Sequence, residues 1–250
     1  MNISDVAARG FGSAADVYER SRPGYATEAV VWICARLGIV PGRTVLDLAA
    51  GTGKLTRDLV PTGAAVIAVE PLDEMRAELE QRVPQARALS GTAEEIPLAD
   101  TSVDAVICAQ AFHWFDPERA LPEIHRILRP GGGLAMLWNT RGVEEPVQAR
   151  LDEFLLEYQE KASREWLRAD DAVTASPLFD PIEHRCWPHE QRLSLDELVG
   201  LVASRSYVAS LDDEPRTRLL SEVREAFADE AEPIVLRYVV DVYVADRAEP

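Results

Sequence analysis

Two acidic residues and a glycine-containing turn have the spacing of a nucleoside-binding site. Asp47 lies in an apolar run, and the small-residue turn 49–53 follows that run directly. The second acid, Glu70, closes the next apolar run, 65–69. A turn of small residues lets a ligand approach the backbone N–H groups at the start of the following helix. A carboxylate at the end of the neighbouring strand holds a nucleoside in doubly wound sheets.

The spacing of the glycines distinguishes two classes of nucleoside cofactor. A dinucleotide-binding turn has the pattern G-x-G-x-x-G, whose third glycine allows close packing of the helix on the strand. This chain has Gly51 and Gly53, but Thr56 stands where the third glycine would be. Instead, an acid, a small residue and two glycines occupy alternate positions, starting at Asp47 and Ala49. The sequence therefore disfavours a nicotinamide-dependent oxidoreductase, which remains the alternative enzyme class.

The alternate spacing from Asp47 to Gly53, followed by Glu70, resembles the cofactor site of the class I S-adenosylmethionine-dependent methyltransferases. The resemblance continues in the family's order through three later segments and covers about half of the chain: 91–98, 104–106 and 127–132. Segments 18–25 and 111–115 resemble the small-molecule branch, which includes trans-aconitate methyltransferases and relatives of the quinone-biosynthesis C-methyltransferases. The resemblance implies S-adenosylmethionine as methyl donor, S-adenosylhomocysteine as product and a small molecule as acceptor.

The resemblance implies roles for the residues around the turn. Gly51 and Gly53, with Thr52 between them, would bring the backbone against the methionyl part of the cofactor. Asp47 would help to hold the loop and the cofactor's amino group. Glu70 would accept charge-assisted hydrogen bonds from both ribose hydroxyls. Without the resemblance, Glu70 would be interpreted as an exposed carboxylate that ends a strand.

Positions after the second strand would form the adenine pocket. Pro71 and Met75 would line it, although Met75 considered alone is more typical of a core residue. Ala93 and Glu94 would border the adenine edge. Glu95 is an alternative to Glu94, and the sequence does not separate the two.

The other implied cofactor contacts come from the end of the fourth strand and from the N-terminal segment. Gln110 and Ala111 would lie beside the methionyl group and the sulfonium, although Gln110 is also typical of an amide that caps a sheet edge. Tyr18 and Arg22 would close the site, with Arg22 pairing to the cofactor carboxylate. The chain departs from the family at Ala49, where the family has a glycine, but alanine is small enough to leave room for the cofactor.

His113 is the candidate catalytic residue. It lies three positions after Gln110, just beyond the fourth strand, where this fold places substrate chemistry. The unperturbed pKa of histidine is near neutrality, so its imidazole can take a proton from an acceptor that is neutral at working pH. The competing interpretation is that His113, Trp114 and Phe115 form a packed wall of the pocket. The acceptor atom is oxygen, nitrogen or carbon, and a carboxylate oxygen is included.

Selection of the acceptor is expected from the segment after Asn139. An amphipathic helix over 147–158 would cover the pocket, and four residues are candidate contacts: Trp138, Asn139, Arg205 and Tyr207. Arg205 can bind a carboxylate, although a solvated surface arginine is the more ordinary interpretation. A non-enzymatic alternative is a regulatory subunit that binds the cofactor without turnover.

Composition disfavours several classes of partner. The chain has 26 basic and 43 acidic side chains and a net charge of −17, which disfavours nucleic acid and anionic membrane surfaces. The 3 cysteines form no C-x-x-C pair, so neither a metal site nor a disulfide framework is expected.

The chain shows neither a signal peptide nor an apolar run that spans a bilayer, so a cytoplasmic location is expected. The oligomeric state does not follow from the sequence.

Alternating strand and helix patterns predict the fold. Five such alternations indicate a parallel sheet covered on both faces, and the final run, 234–244, alternates like a strand. We predict a doubly wound, seven-stranded, mostly parallel α/β sheet with a C-terminal antiparallel hairpin and a helical insertion. The predicted helix N-caps are Thr27, Asp116 and Ser194. One domain, 1–250, is expected, with a cofactor-closing segment, a cofactor-binding core, a helical lid and a C-terminal hairpin with helices: 1–40, 41–140, 141–180 and 181–250.

Overall fold

The structure is a computed structural model that describes residues 19, 21–142, 145–159 and 169–249. The strands of this part of the chain are β1 (Thr44–Leu48), β2 (Ala65–Val69), β3 (Arg87–Leu89), β4 (Val103–Ala109), β5 (Leu128–Arg141), β6 (Glu183–Leu193) and β7 (Ile234–Asp246). Its helices are α1 (Thr27–Arg36), α2 (Lys54–Leu59), α3 (Asp73–Arg82), α4 (Pro117–Ile127), α5 (Pro146–Gln159), α6 (Ala169–Ala175), α7 (Leu195–Ala203), α8 (Ser206–Ala209) and α9 (Asp213–Ala226).

The strands form one sheet in the order β3-β2-β1-β4-β5-β7-β6. Strands β1 to β5 pair in parallel. Strand β7 runs antiparallel to β5, because Gly142 N donates to the Arg237 carbonyl while Arg247 N donates to the Gly132 carbonyl. The predicted mostly parallel, doubly wound sheet is therefore confirmed. The connection between the neighbouring strands β6 and β7 carries the helices α7 to α9.

The apolar runs of β1 and β4 are explained by burial on both faces of the sheet. Leu46 and Val106 pack in one apolar layer with α4. Val45 and Ile107 point to the opposite layer, which contains the buried sides of α1 and α2. Because successive side chains alternate between the faces, a strand in this position needs apolar residues throughout.

The chain divides into two compact units, each assembled from separate segments. We call the unit of 24–139, 166–187 and 240–250 the core unit, and the unit of 1–23, 140–165 and 188–239 the second unit. The second unit has an apolar core of its own, to which α5, α7, α9 and β7 contribute Leu151, Leu198, Val223 and Leu236. The single-domain organisation inferred from the sequence stays a prediction.

Two of the three predicted N-caps are confirmed. Asp116 accepts a hydrogen bond from Glu118 N, and Ser194 forms a complete capping box with Glu197. The prediction for Thr27 is wrong, because Thr27 is the first helical residue and Ala26 occupies the cap. Ala26 is buried in the apolar layer, so packing rather than capping places the start of α1.

Strand β5 includes the glycines 131–133. Its pairing with β4 already begins at Leu128, opposite Val103. The register then shifts and resumes with Ala105 opposite Gly133. The glycines form an irregular part of the strand, where extra residues are accommodated against one partner strand.

Candidate functional site

The turn after β1 has the left-handed backbone that its small residues predict. Gly51 and Gly53 have φ values of +58° and +88°, and Ala49 has φ +58°. Ala50 N donates to the Val69 carbonyl, so the turn is tied to the end of β2. The left-handed region costs a residue with a Cβ about 1–2 kcal/mol, so the backbone at Ala49 would suit a glycine better.

The two glycines of the turn meet different neighbours. A Cβ added to Gly53 would lie 3.0 Å from Leu79 Cγ and 3.2 Å from Val83 Cγ2. A Cβ added to Gly51 would meet only Met75 Sδ, at 3.7 Å. Gly53 is therefore needed for the packing of α3 against the turn, whereas the space beside Gly51 is open enough for a ligand to approach.

Glu70 holds the same turn from the end of β2. Its side chain is only 5 % exposed, and its two carboxylate oxygens accept hydrogen bonds from two backbone groups. Oε2 accepts from Gly51 N at 2.8 Å, and Oε1 accepts from Leu72 N at 3.0 Å. Burial raises the pKa of Glu70, while these two hydrogen bonds and the charge of Arg76 act in the opposite direction. The alternative interpretation of Glu70, an exposed carboxylate that ends a strand, is thus wrong.

Asp47 lies beneath the turn and is 1 % exposed. Its Oδ2 accepts a hydrogen bond from Thr56 Oγ1 at 2.6 Å. Burial raises the pKa of Asp47 to about 7, and the hydrogen bond from Thr56 limits that rise. A carboxyl group with this pKa changes charge near neutrality, so a bound cation would draw it to the ionised form.

The end of β4 lies beside the turn. Asp47 pairs with Ile107 in the parallel register of β1 and β4, which brings Ala49 next to the end of β4. Gln110 follows β4 with φ +57°, and its backbone N donates to the Leu137 carbonyl. Two neighbouring strands therefore both end in a left-handed residue that is not glycine. Such conformations concentrate at functional sites.

Three further predicted positions occupy the loops around these strand ends. Ala93 is buried and Ala111 half-buried, and both pack against the apolar layer of α4. Glu94 is half-buried, and its Oε1 accepts a hydrogen bond from Asp116 N at 3.0 Å. Glu95 is exposed. Glu94 therefore has a partner at the start of α4, which the sequence did not indicate.

His113 lies in a short 3₁₀ turn, Phe112–Trp114, just after these residues. Its ring centroid is 4.9 Å from that of Trp114. Burial lowers the pKa of His113 to about 4, so its imidazole is neutral at pH 7. The side chain thus has both properties that the sequence analysis considered, a packed aromatic neighbour and a ring able to accept a proton.

The remaining predicted positions have other surroundings. Met75 and Thr52 are buried, whereas Pro71 is exposed. Arg22 belongs to the second unit, where its Nε donates to Ser204 Oγ and its Nη2 to the Ser204 carbonyl, both at 2.9 Å. Tyr18 lies outside the described residues. The assignment of these positions to a cofactor stays a prediction.

Two residues that support the site were missed in the sequence. Thr56 was noticed only as a missing glycine, yet its hydroxyl binds Asp47. Arg76 donates from Nη1 to the Glu70 carbonyl at 3.0 Å. Arg76 stands six positions after Glu70 in α3, and that spacing alone carries no recognisable pattern.

Known proteins similar to this chain include several methyltransferases. A methyltransferase-domain family model matches residues 46–136. The uncharacterised methyltransferase Rv3342 of Mycobacterium tuberculosis is 45% identical over 218 residues, which cover 87% of this chain and 85% of the relative. Demethylmenaquinone methyltransferase of Beutenbergia cavernae is 33% identical over 158 residues, which cover 62% of this chain and 63% of that protein.

A similar fold occurs in phosphoethanolamine N-methyltransferase 2 of Haemonchus contortus, solved in complex with phosphomonomethylethanolamine and S-adenosylhomocysteine. The TM-score is 0.62 at 17% identity, with coverage of 100% of this chain and 61% of that chain. Within the described residues, no helix combines the length and apolar composition needed to cross a bilayer. The same residues contain no cluster of histidine, cysteine or acidic side chains that would suit a metal ion.

Proposed function

Because the chain belongs to the class I S-adenosylmethionine-dependent methyltransferases, we propose that it transfers a methyl group from S-adenosylmethionine to a small-molecule acceptor by in-line displacement. The main support is the carboxylate of Glu70, buried at the end of β2 and directed at the turn after β1. Family membership removes the nicotinamide-dependent alternative. The acceptor atom remains oxygen, nitrogen or carbon.

The two backbone hydrogen bonds of Glu70 leave acceptor positions on its carboxylate for the hydroxyls of a ribose. The two oxygens of a carboxylate offer about four acceptor positions. Gly51 N and Leu72 N occupy one position on each oxygen. Each oxygen therefore keeps a position that can accept from one ribose hydroxyl. Glu70 can bind both hydroxyls while it continues to hold the turn.

Asp47 suits the positive charge of the ligand. S-adenosylmethionine supplies an electrophilic methyl carbon on a sulfonium, and it also carries a protonated amino group. A cation near Asp47 favours the ionised carboxylate and lowers its pKa from about 7. Binding below neutral pH should therefore release a proton from Asp47.

The protein contributes mainly by alignment. Holding two reactants in line supplies about 7–11 kcal/mol of the barrier. Gln110 and Ala111, at the end of β4, would orient the methyl-bearing group beside Gly51. His113 is neutral at pH 7 and can accept a proton from a neutral acceptor, but its lowered pKa makes it a weak base. An acceptor that is already anionic requires no base.

Calorimetric titration with S-adenosylhomocysteine tests the cofactor assignment. Wild-type protein should bind, and Glu70→Ala should bind about 100-fold more weakly, because two charge-assisted hydrogen bonds are lost. Glu80→Gln is the matched control: Glu80 is an exposed acid on α3, and its removal should leave the affinity unchanged.

Two outcomes would contradict the proposal. Absence of binding heat in the wild type would exclude the cofactor. Equal affinities of wild type and Glu70→Ala would exclude the ribose-binding role of Glu70 while leaving the cofactor itself in place.

A further inference from the structure

The segment between β3 and β4 carries the two predicted adenine contacts, Ala93 and Glu94, in a loop. In this described part of the chain, residues 90–102 form neither a helix nor a strand of the sheet. Within the loop, Thr92 and Glu95 are joined by an isolated bridge. A bridge between residues so close in sequence does not fix the path of the whole loop, so other parts of the chain must do so.

This loop begins beside the carboxylate proposed to bind the ribose. In the parallel register of β2 and β3, Val69 lies opposite Leu89, and Glu70 N donates to the Leu89 carbonyl at 3.1 Å. The carboxyl ends of neighbouring parallel strands meet at one edge of the sheet, where ligands bind in open α/β folds. Adenine is attached directly to the ribose of the cofactor. A ribose held by Glu70 would therefore bring the adenine toward the loop.

Two side chains of α4 hold both backbone groups of Ile96 in this loop. Ile96 N donates to Glu123 Oε2 at 3.0 Å, and the Ile96 carbonyl accepts from Arg126 Nη2 at 3.1 Å. Arg126 Nη1 also donates to the Leu98 carbonyl at 2.8 Å. The side chain of Ile96 is only 3 % exposed and packs in the apolar layer that contains α4. Polar contacts and apolar packing thus fix the same residue to α4.

The guanidinium of Arg126 has an acceptor for each of its five N–H donors. Nε donates to Glu123 Oε1 at 2.7 Å and Nη2 to Glu123 Oε2 at 2.8 Å, which is the bidentate pairing of arginine with a carboxylate. The other donors bind the carbonyls of Ile96 and Leu98 and the carboxylate of Asp100. Because its donors are all engaged within the protein, Arg126 acts on the loop and does not itself bind a ligand.

The first half of the loop has further contacts. Glu94 Oε1 accepts from Asp116 N at 3.0 Å, at the start of α4. A Cβ added to Gly91 would lie 2.6 Å from Pro97 Cδ, so the chain returns to Gly91 and leaves no room for a side chain there. Residues 91–97 therefore form a closed segment that is attached to α4 near both ends of the helix.

We propose that Glu123 and Arg126 are positioning residues that fix segment 91–97 as the wall against which the adenine of the cofactor binds. The inference rests on the proposed function, since it concerns the same cofactor. Both side chains act through the backbone of Ile96. A shift of this backbone would displace the neighbouring Ala93 and Glu94, and displaced groups lose their hydrogen bonds and packing contacts with the base.

A pair that only stabilised the fold would behave differently, and Arg129 offers the comparison. Its Nη1 donates to Asp104 Oδ2 at 2.6 Å, and the same oxygen accepts from Thr44 N at 2.8 Å. Thr44 begins β1 and Asp104 is the second residue of β4, so this pair lies at the sheet edge opposite to Glu70. Its loss should lower stability without affecting the recognition of adenine.

The test compares two ligands that differ in the base. S-adenosylhomocysteine contains adenine, whereas S-ribosylhomocysteine keeps the ribose and the amino acid but lacks the base. Calorimetry measures the first directly and the second by displacement of the first. Arg126→Lys keeps the charge but lacks the planar donors, so it should bind S-adenosylhomocysteine about 10-fold more weakly and S-ribosylhomocysteine like the wild type. Glu123→Gln should show the same selectivity with a smaller effect, because its amide keeps one oxygen for Ile96 N.

Arg129→Lys is the matched control and should leave both affinities unchanged, even where its melting temperature falls as far as that of Arg126→Lys. The proposal is overturned if Arg126→Lys and Glu123→Gln keep the wild-type affinity for S-adenosylhomocysteine. It is equally overturned if they weaken both ligands by the same factor, which a purely structural role would do. If Arg126→Lys does not fold, the selectivity of Glu123→Gln decides.

The wild-type protein separates this failure from failure of the proposed function. Absence of S-adenosylhomocysteine binding in the wild type would remove the function and this inference together. Wild-type binding with unchanged selectivity in the variants would remove only the positioning role of Glu123 and Arg126.

Discussion

The core unit and the second unit both bury charged side chains, but they differ in how those charges are satisfied. In the core unit, each oxygen of Glu70 accepts from a backbone N–H, and Asp47 accepts from the hydroxyl of Thr56. In the second unit, Arg205 is nearly as buried, yet its Nε has no partner among the described residues.

This difference separates two roles of a buried charge. The carboxylate of Glu70 is part of the architecture, because it fixes the turn that follows β1 even before a ligand binds. The guanidinium of Arg205 donates from Nη1 to the Tyr207 hydroxyl, but its buried Nε has no acceptor among the described residues, which is unfavourable. The hydrogen bonds around a buried charged residue thus distinguish a side chain that already holds the backbone from one that keeps an unpaired donor.

The comparison predicts that removal of the Glu70 charge destabilises the apo protein. Glu70→Met keeps the length of the side chain but leaves the N–H groups of Gly51 and Leu72 without their acceptor. We expect the free energy of unfolding to fall by about 2–6 kcal/mol, because each of the two orphan donors costs about 1–3 kcal/mol. Urea unfolding measures this change, with Glu80→Met as the exposed control. Unchanged stability would mean that the carboxylate does not hold the turn.

The second prediction concerns pH and the core unit. The pKa of Asp47 is raised from 3.8 to about 7 in the folded protein. The folded chain therefore binds this proton more tightly than the unfolded chain, and the resulting stabilisation is complete below about pH 4 and is lost as the pH rises through about 7. Between pH 4 and 8 the melting temperature should fall with rising pH less steeply in Asp47→Asn than in the wild type, because the asparagine cannot ionise.

The slope of this pH profile also distinguishes the units. Arg205→Met, in the second unit, should keep the wild-type slope, because it does not alter the titration of Asp47. Identical slopes in wild type and Asp47→Asn would show that Asp47 is ionised throughout this range.

The smallest expected effect is a gain in stability. Arg205→Met removes the unsatisfied charge and keeps an unbranched apolar chain, so the free energy of unfolding of the apo protein should rise by about 1 kcal/mol. For a chain of this size, that rise corresponds to about 2–4 °C in melting temperature. A loss of stability as large as that of Glu70→Met would show that Arg205 is satisfied in the apo state and would remove the contrast between the units.

The sequence by itself determined the sheet and the position of the glycine-containing turn after β1. Alternating apolar patterns and the spacing of Asp47, Gly51 and Glu70 are local features, and their consequences for backbone shape follow from one strand and its loop. The N-caps Asp116 and Ser194 were predictable for the same reason, because capping depends on residues that are close in sequence. The cap of α1 was wrongly predicted at Thr27, because burial of Ala26 in the core depends on distant parts of the chain.

Only the tertiary structure decided which side chains complete each site. The hydroxyl of Thr56 on Asp47 and the Asp116 N–H on Glu94 join residues whose separation in the chain follows no pattern. Likewise, Arg141 and Arg205 stand far apart in sequence, and each alone is typical of a solvated surface residue. Burial and the charge of Arg205 both lower the pKa of Arg141, so the fold of the second unit brings these two side chains near each other.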